Sequence, residues 1–343
     1  MQKIYLIVCP LLIVQSCINT FDWSKESGLE KQLIMNSYIY TDESVHTIYM
    51  ALSDGFYLRE LPQKAEIECF INGVPVCKSD SMEYYHSYKN LAFHKYFIKA
   101  KINPGDIVEL RAKCGDLMAT AKAEAAQACD FQIDTVSRPS NHIFSSFYHS
   151  QLRDYTVKLT LTDRQGESNY YRLFHSSGQS YATYCGEKVC EIENTRLVPI
   201  LFDENDPIFK ISVVDFPTDI EAATGVPLNA VNSFNIFPDQ PFADGKYPFK
   251  YNVEAALFCP VRPDWNIKYD HLVCYANFRA GTMTKECYDI FNSLNLFWSV
   301  SDNPFTEPVF LKSNVTGGLG AFCIVTVTNK RVEFAPVTLE NQY

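Results

Sequence analysis

The sequence lacks a run of basic residues. Lys and Arg number 30 against 40 Asp and Glu, so the formal net charge is −10 at pH 7. The densest basic cluster consists of Lys99, Lys101, Arg111 and Lys113, which alternate with apolar residues as one face of a strand does. A protein that binds nucleic acid presents a basic patch or stripe. We therefore expect no nucleic-acid partner.

The sequence also lacks the common motifs of catalytic and metal sites. None of the seven histidines belongs to an H-E-x-x-H pair, and no G-x-S-x-G elbow occurs. Gly317, Gly318 and Gly320 are not followed by Lys-Ser or Lys-Thr, so they do not form a Walker-type phosphate loop. We expect no catalytic residues, no metal and no cofactor. The alternative is an anchored hydrolase acting on glycan or peptide, because a Cys–His pair assembled in space leaves no mark in the sequence.

Long apolar runs are missing as well. No segment reaches the length of about 20 residues that a membrane-spanning helix needs. The N-terminal run over residues 4–14 has about half that length and follows the single charge of Lys3. A charged start followed by a short apolar run predicts a secretory signal peptide, here residues 1–16.

The end of that run suggests a lipid anchor. The segment VQSC, residues 14–17, resembles the lipobox of bacterial lipoproteins, with Gln15 in place of the usual small or aliphatic residue. The resemblance implies that Cys17 becomes the first mature residue and carries a thioether-linked diacylglycerol, which attaches the protein to the membrane. The alternatives are an ordinary signal peptide with a chance cysteine and a buried N-terminal strand. Residues 17–31 are mostly polar and predict a tether.

The rest of the chain predicts a mainly β fold. Hydrophobic residues make up 47% and charged residues 20%, which is typical of a globular protein. Short aromatic and β-branched segments separated by turns predict an Ig-like antiparallel β-sandwich over residues 32–128. Residues 129–150 have no clear periodicity and predict a linker. A second β-rich domain follows over residues 151–343.

One late helix interrupts the strands of the second domain. Cys287, Ile290, Phe291, Leu294 and Phe297 fall at helical spacing on one face. Thr282 or Thr284 can cap its N-terminus.

The segment ECFINGVPVC predicts a β-hairpin. Asn72-Gly73 is typical of a type I′ turn, in which both central residues take positive φ. This turn opposes Ile71 to Val74 and Phe70 to Pro75. The same register opposes Cys69 to Val76, so we do not expect Cys69 and Cys77 to pair.

A second pair of cysteines is a disulfide candidate. In YCGEKVC, a four-residue loop over 186–189 would oppose Cys185 directly to Cys190. Directly opposed Cα atoms lie about 4.5–5.5 Å apart, within the disulfide range. A two-residue loop would instead oppose Cys185 to Lys188.

Three stretches resemble a known family. TDRQGESNYYRLF (162–174), FADGKYPF (242–249) and NPFTEPVFLKSNVTGGLGAF (303–322) stand in the order seen in a family of Bacteroidetes lipoproteins catalogued as domain of unknown function 4249. The resemblance implies a protein that works beside a TonB-dependent outer-membrane transporter. It implies no catalytic residues.

These observations together predict the class of function. We expect a non-catalytic, exported lipoprotein, anchored to the outer membrane by its N-terminal lipid. Its expected role is to assist a TonB-dependent transporter or to capture a ligand for it. The sequence identifies neither the ligand nor the membrane face, periplasmic or cell-surface, on which the protein lies.

Overall fold

The structure is a computed structural model of the 343-residue chain. It describes residues 30–334 except for fourteen short ranges: 55–57, 80–81, 87–91, 138–150, 186–187, 199, 203–205, 207, 209–210, 213–228, 231, 243–244, 258–269 and 301–310. The predicted signal peptide and nearly all of the predicted tether lie outside the described residues.

The described residues are mainly β-strand, as the sequence predicts. Ten strands precede residue 138: β1 (Gln32–Tyr40), β2 (Val45–Ser53), β3 (Leu58–Arg59), β4 (Glu66–Ile71), β5 (Val74–Ser79), β6 (Met82–His86), β7 (Ala92–Lys99), β8 (Ile107–Cys114), β9 (Leu117–Glu124) and β10 (Asp130–Ser137). The later elements are β11 (Gln151–Thr162), β12 (Tyr170–Cys185), β13 (Lys188–Val198), β14 (Ile200–Phe202), β15 (Ile211–Ser212), β16 (Asn229–Ala230), β17 (Ile236–Pro238), β18 (Lys246–Leu257), β19 (Asp270–Met283), helix α1 (Lys285–Val300), β20 (Val315–Thr316) and β21 (Gly318–Phe334).

One long sheet runs through both halves of the chain. Its strands follow the order β13-β12-β19-β21-β1-β2-β7-β6, with β17 and β3 attached at its sides. A five-stranded sheet, β20-β9-β8-β4-β5, and a four-stranded sheet, β10-β11-β18-β14, complete the main layers. The pairing of β1 with β21 is parallel, whereas the other pairs are antiparallel.

The long sheet packs against two partners. Its β1, β2 and β7 side buries Met35, Ile48 and Tyr96 against the five-stranded sheet. Its β12 and β19 side buries Tyr171 and Phe278 against the four-stranded sheet. The two resulting β-sandwiches therefore share one sheet.

This sharing changes the predicted domain division. Phe322 and Ile324 of β21 belong to the core of the N-terminal sandwich, so residues 32–128 do not complete that sandwich alone. The predicted linker over 129–150 is wrong for Asp130–Ser137, which form β10 and pair with β11. The alternation of buried Phe131 with exposed neighbours marks this strand, although Pro139 follows it closely.

Helix α1 covers the opposite face of the long sheet. Cys287, Ile290 and Phe291 are buried against Cys323 and Val325 of β21. The N–H of Cys287 donates to Oγ1 of Thr284 at 3.4 Å, so the N-cap is Thr284. The prediction of the helix is confirmed, and its buried face holds for Cys287, Ile290 and Phe291, whereas Leu294 and Phe297 are only half-buried.

Glycines allow β21 to lie beside β1. A Cβ on Gly318 would stand 2.5 Å from the carbonyl oxygen of Leu33, and a Cβ on Gly320 would overlap that of Met35. Gly320 also has a φ of 122°, which only glycine adopts easily. The GGLG segment thus serves close strand packing.

Candidate functional site

The predicted lipidation residue, Cys17, lies outside the described residues. The other predicted site residues, Cys185 and Cys190, lie on β12 and β13.

The register at the β12–β13 hairpin differs from the four-residue loop that we considered. Cys185 pairs with Lys188, and Cys190 pairs with Thr183. The direct opposition of Cys185 and Cys190 is therefore wrong, because only two residues separate the paired positions. The side chains of both cysteines lie outside the described residues, so their bridge stays a prediction.

The register at the β4–β5 hairpin brings two other cysteines together. The Asn72-Gly73 turn has positive φ at both residues, and Ile71 pairs with Val74 as predicted. Beyond Phe70 and Pro75 the register shifts by one residue, and Cys69 pairs directly with Cys77. The predicted register, which opposed Cys69 to Val76, is wrong, because a β-bulge at Val76 brings Cys77 opposite Cys69. Both cysteines are free thiols in the structure.

The most concentrated group of aromatic side chains surrounds Arg172 of β12. Its guanidinium lies 5.2–5.7 Å from the ring centroids of Tyr40, Phe174, Phe234 and Phe291. Its Nη1 also donates a hydrogen bond of 2.7 Å to the hydroxyl of Tyr40. These rings come from β1, β12, α1 and the segment before β17. Arg172 therefore occupies an aromatic cage that joins the helix to the sheet.

A second arginine extends the cage. Arg279 of β19 lies 4.2 Å from the ring of Phe174, and its Nη2 contacts Asp42 at 2.5 Å. Burial raises the pKa of Glu43, although the neighbouring Arg279 acts in the opposite direction. Because the protein's own guanidinium groups fill the cage and Asp42 neutralises one of them, the geometry serves packing more directly than capture of an external cation.

The polar residues of TDRQGESNYYRLF form a buried network. Asn169 is almost fully buried, and its amide donates to Asp163 Oδ1 at 3.1 Å. Its backbone N–H donates to Asp239 Oδ2 at 2.6 Å, while Tyr171 donates to Asp163 at 2.5 Å. The network satisfies buried polar groups and fixes the start of β12.

A charged groove of about 550 Å³ lies at the start of α1, lined by Lys285, Glu286, Asp289, Ile290, Lys312 and Ser313. Lys285 and Lys312 contact Asp289 at 2.7 and 3.0 Å. Burial alone raises the pKa of Asp289, but the hydrogen bonds from the two lysines outweigh it and lower the pKa. Two cations and two carboxylates balance the charge of this groove.

Apolar side chains are exposed along one edge of the N-terminal sandwich. Val74 is 61% exposed and Val76 45% on β5, the edge of the five-stranded sheet. Tyr84 is 45% exposed on β6, the edge of the long sheet, and Met82 beside it is exposed too. Only two residues separate β5 from β6, so both edges lie on the same side. We call Val74, Val76, Met82 and Tyr84 the apolar edge.

Metal ligands do not gather in the described ranges. There, no three residues among His, Cys, Asp and Glu stand close enough to hold an ion. His175 is buried against Phe278, with ring centroids 4.8 Å apart. The described part of the chain contains no helix with the length and apolar character to cross a bilayer.

Sequence reasoning missed the Arg172 cage and the Cys69–Cys77 and Cys287–Cys323 contacts. The one signal for the cage was Arg172 itself, a charged residue within the mainly apolar segment NYYRLF. The cysteine contacts depend on a bulge and on helix docking, which leave no comparable signal.

These features define a mainly β protein of two sandwiches that share one sheet, with a helix on the open face. Residues 19–331 match the family model described as a domain of unknown function, DUF4249, and the chain belongs to that family. This match confirms the resemblance seen in the sequence. No curated protein matches the chain.

Proposed function

We propose that this chain is a non-catalytic lipoprotein, exported and anchored to the outer membrane through Cys17. In this role it assists a TonB-dependent outer-membrane transporter, or captures a ligand for it. The lipobox-like VQSC supports the anchor. The transporter partnership follows from the family resemblance, and the apolar edge is the structural observation that supports it.

The apolar edge suits contact with another protein chain. An edge strand presents backbone N–H and C=O groups to its open side, and natural edges are usually protected by charge or by short length. Here Val74, Val76 and Tyr84 place apolar surface beside two such edges. Pro75 and the bulge at Val76 interrupt the backbone ladder of β5, so a partner segment gains mainly by burying these apolar side chains. An exposed segment of the transporter is the partner that we propose.

Site-specific photo-crosslinking tests this role. A photo-reactive amino acid replaces Val76 in the full-length, tagged protein, which is then irradiated in its native membrane. We expect a covalent adduct with one outer-membrane transporter. Met118 of β9 is 56% exposed but lies away from the apolar edge, so the same label there is the matched control.

The outcomes separate the parts of the proposal. An adduct at position 76 without one at 118 supports docking at the apolar edge. An anchored protein that gives no adduct at position 76 contradicts it.

A further inference from the structure

Two pairs of free thiols are brought together among the described residues. Cys69 lies directly opposite Cys77 in the strand register, and Cys287 and Cys323 share the small core between α1 and β21. We propose that both pairs are disulfide sites, which close when the protein meets a disulfide oxidant. An oxidising exported compartment supplies such an oxidant, so closure in the cell rests on the proposed export.

The geometry of the first pair comes from the strand register. Cys69 on β4 and Cys77 on β5 are directly opposed in an antiparallel ladder. Such residues have Cα atoms about 4.5–5.5 Å apart, and disulfides span about 4.4–6.8 Å. The bulge at Val76 is what sets this alignment. Without it, Cys77 would stand one residue out of register and on the other face.

The geometry of the second pair comes from helix docking. Cys287 lies in the first turn of α1, and Cys323 lies in the middle of β21. Both are buried in the small core between helix and sheet, 3% and 0% exposed. A bond between them would tie the helix to the shared sheet.

The other described thiols have different neighbours. Cys114 donates to the carbonyl oxygen of Gln63 at 3.3 Å, and Cys129 donates to that of Ala280 at 3.8 Å. A carbonyl oxygen cannot form a disulfide with a thiol. Cys114 and Cys129 are therefore internal controls for oxidation that does not depend on a neighbouring cysteine. Oxidation is expected to join the paired cysteines and to leave these two as thiols.

The chemistry is a two-step thiol–disulfide exchange. Cys77 is only half-buried, so its thiolate attacks the oxidant and forms a mixed disulfide, releasing one oxidant thiol. The Cys69 thiolate then attacks Cys77 Sγ, forms the internal S–S bond and releases the second oxidant thiol. The protein loses two electrons and two protons, and the oxidant disulfide gains them as two thiols. Burial, and next the Cys77 neighbour, raise the pKa of Cys69, so the second step should quicken as pH rises.

The experiment maps the thiols of the full-length protein, purified in reductant and then exposed to oxidised glutathione. After denaturation and alkylation, the tryptic peptide 65–78 contains both Cys69 and Cys77. We expect it to be unalkylated and lighter by two hydrogen atoms. Cys287 and Cys323 are both buried in the folded protein, so their peptides, 286–312 and 313–330, should be joined when oxidised glutathione is present during refolding from urea. Cys114 in peptide 114–122 should be alkylated.

Variants test the order of the first closure. In Cys69→Ala, exchange should stop at a glutathione adduct on Cys77. In Cys77→Ala, the buried Cys69 should remain a thiol. Equal glutathione labelling of both variants, or an alkylated pair in the oxidised wild type, overturns the proposal for that pair.

A second preparation separates this inference from the proposed export. The protein is taken directly from its native membrane into alkylating reagent, without reductant. Bridges in both preparations support the disulfide sites and the export together. Bridges formed by glutathione but thiols in the cell leave the sites standing and contradict the export.

Discussion

At the residue scale, His175 is the buried group with the clearest electrostatic consequence. Its side chain is 2% exposed, and neither ring nitrogen has a hydrogen-bond partner within the described structure. Burial lowers its pKa from 6.5 to about 4. The folded protein therefore holds this ring neutral, while the unfolded chain accepts a proton at a higher pH.

This difference predicts a loss of stability in mild acid. Because the unfolded state binds the proton first, His175 favours unfolding increasingly as pH falls from 6.5 towards 4. Between pH 7 and pH 5 we expect its contribution to reduce the free energy of unfolding by about 2 kcal/mol. Urea unfolding at both pH values measures this change.

The variant His175→Leu is the control, since leucine does not titrate. It should lose about 2 kcal/mol of the pH dependence, whatever its stability at pH 7. An unchanged pH dependence in this variant would show that other groups cause the acid sensitivity.

At the element scale, β21 connects the N-terminal sandwich, helix α1 and the β19 side of the long sheet. It pairs with β19 on one side and with β1 on the other, and its two faces contribute to separate cores. Asn36 Oδ1 of β1 accepts a hydrogen bond of 2.9 Å from the N–H of Ala321 in β21. Gly320 permits this approach because it has no Cβ.

We therefore expect Gly320→Ala to destabilise the protein strongly. Its methyl group would overlap the Met35 carbonyl oxygen, in addition to the backbone strain of a positive φ. The expected cost is about 3 kcal/mol or more in the free energy of unfolding, measured with urea.

The matched control is Gly73→Ala. Gly73 also has a positive φ, of 80°, but no atom lies within 4 Å of the position that a Cβ would take there. This variant should lose only about 1 kcal/mol, from backbone strain. Equal losses in both variants would mean that contact with Met35 is unimportant.

At the scale of the whole molecule, the shared sheet joins the N-terminal and C-terminal halves. The first described strand, β1, lies between β2 and β21 in that sheet. The chain leading from the proposed lipid anchor therefore enters the centre of the long sheet. The apolar edge lies at the β6 end of the same sheet.

The anchor itself is tested by Cys17→Ala. We expect this change to move the protein out of the membrane fraction or to leave its precursor uncut, because the lipid can no longer be attached. Fractionation followed by N-terminal mass analysis measures both results. Cys9→Ala removes a cysteine within the apolar run and should leave attachment unchanged. A correctly cleaved Cys17→Ala protein that stays in the membrane would contradict lipidation.

The sequence by itself determined the local features of the fold. The alternation of apolar residues predicted the strands, and the spacing of Cys287, Ile290 and Phe291 predicted the buried face of α1. Asn72-Gly73 predicted a turn with positive φ. Each of these depends on residues within a few positions of one another, so periodicity and turn chemistry are sufficient.

Only the tertiary structure decided the long-range features. Asn36 and Ala321, which meet at the β1–β21 pairing, are 285 residues apart, and no local pattern specifies such a partner. A one-residue bulge at Val76 placed Cys69 opposite Cys77, although the ideal hairpin register separates them. The Arg172 cage likewise collects rings from four segments. Strand pairing, β-bulges and helix docking depend on how whole faces of the sheets pack against each other. This packing is a property of the assembled sheets, and no single segment determines it.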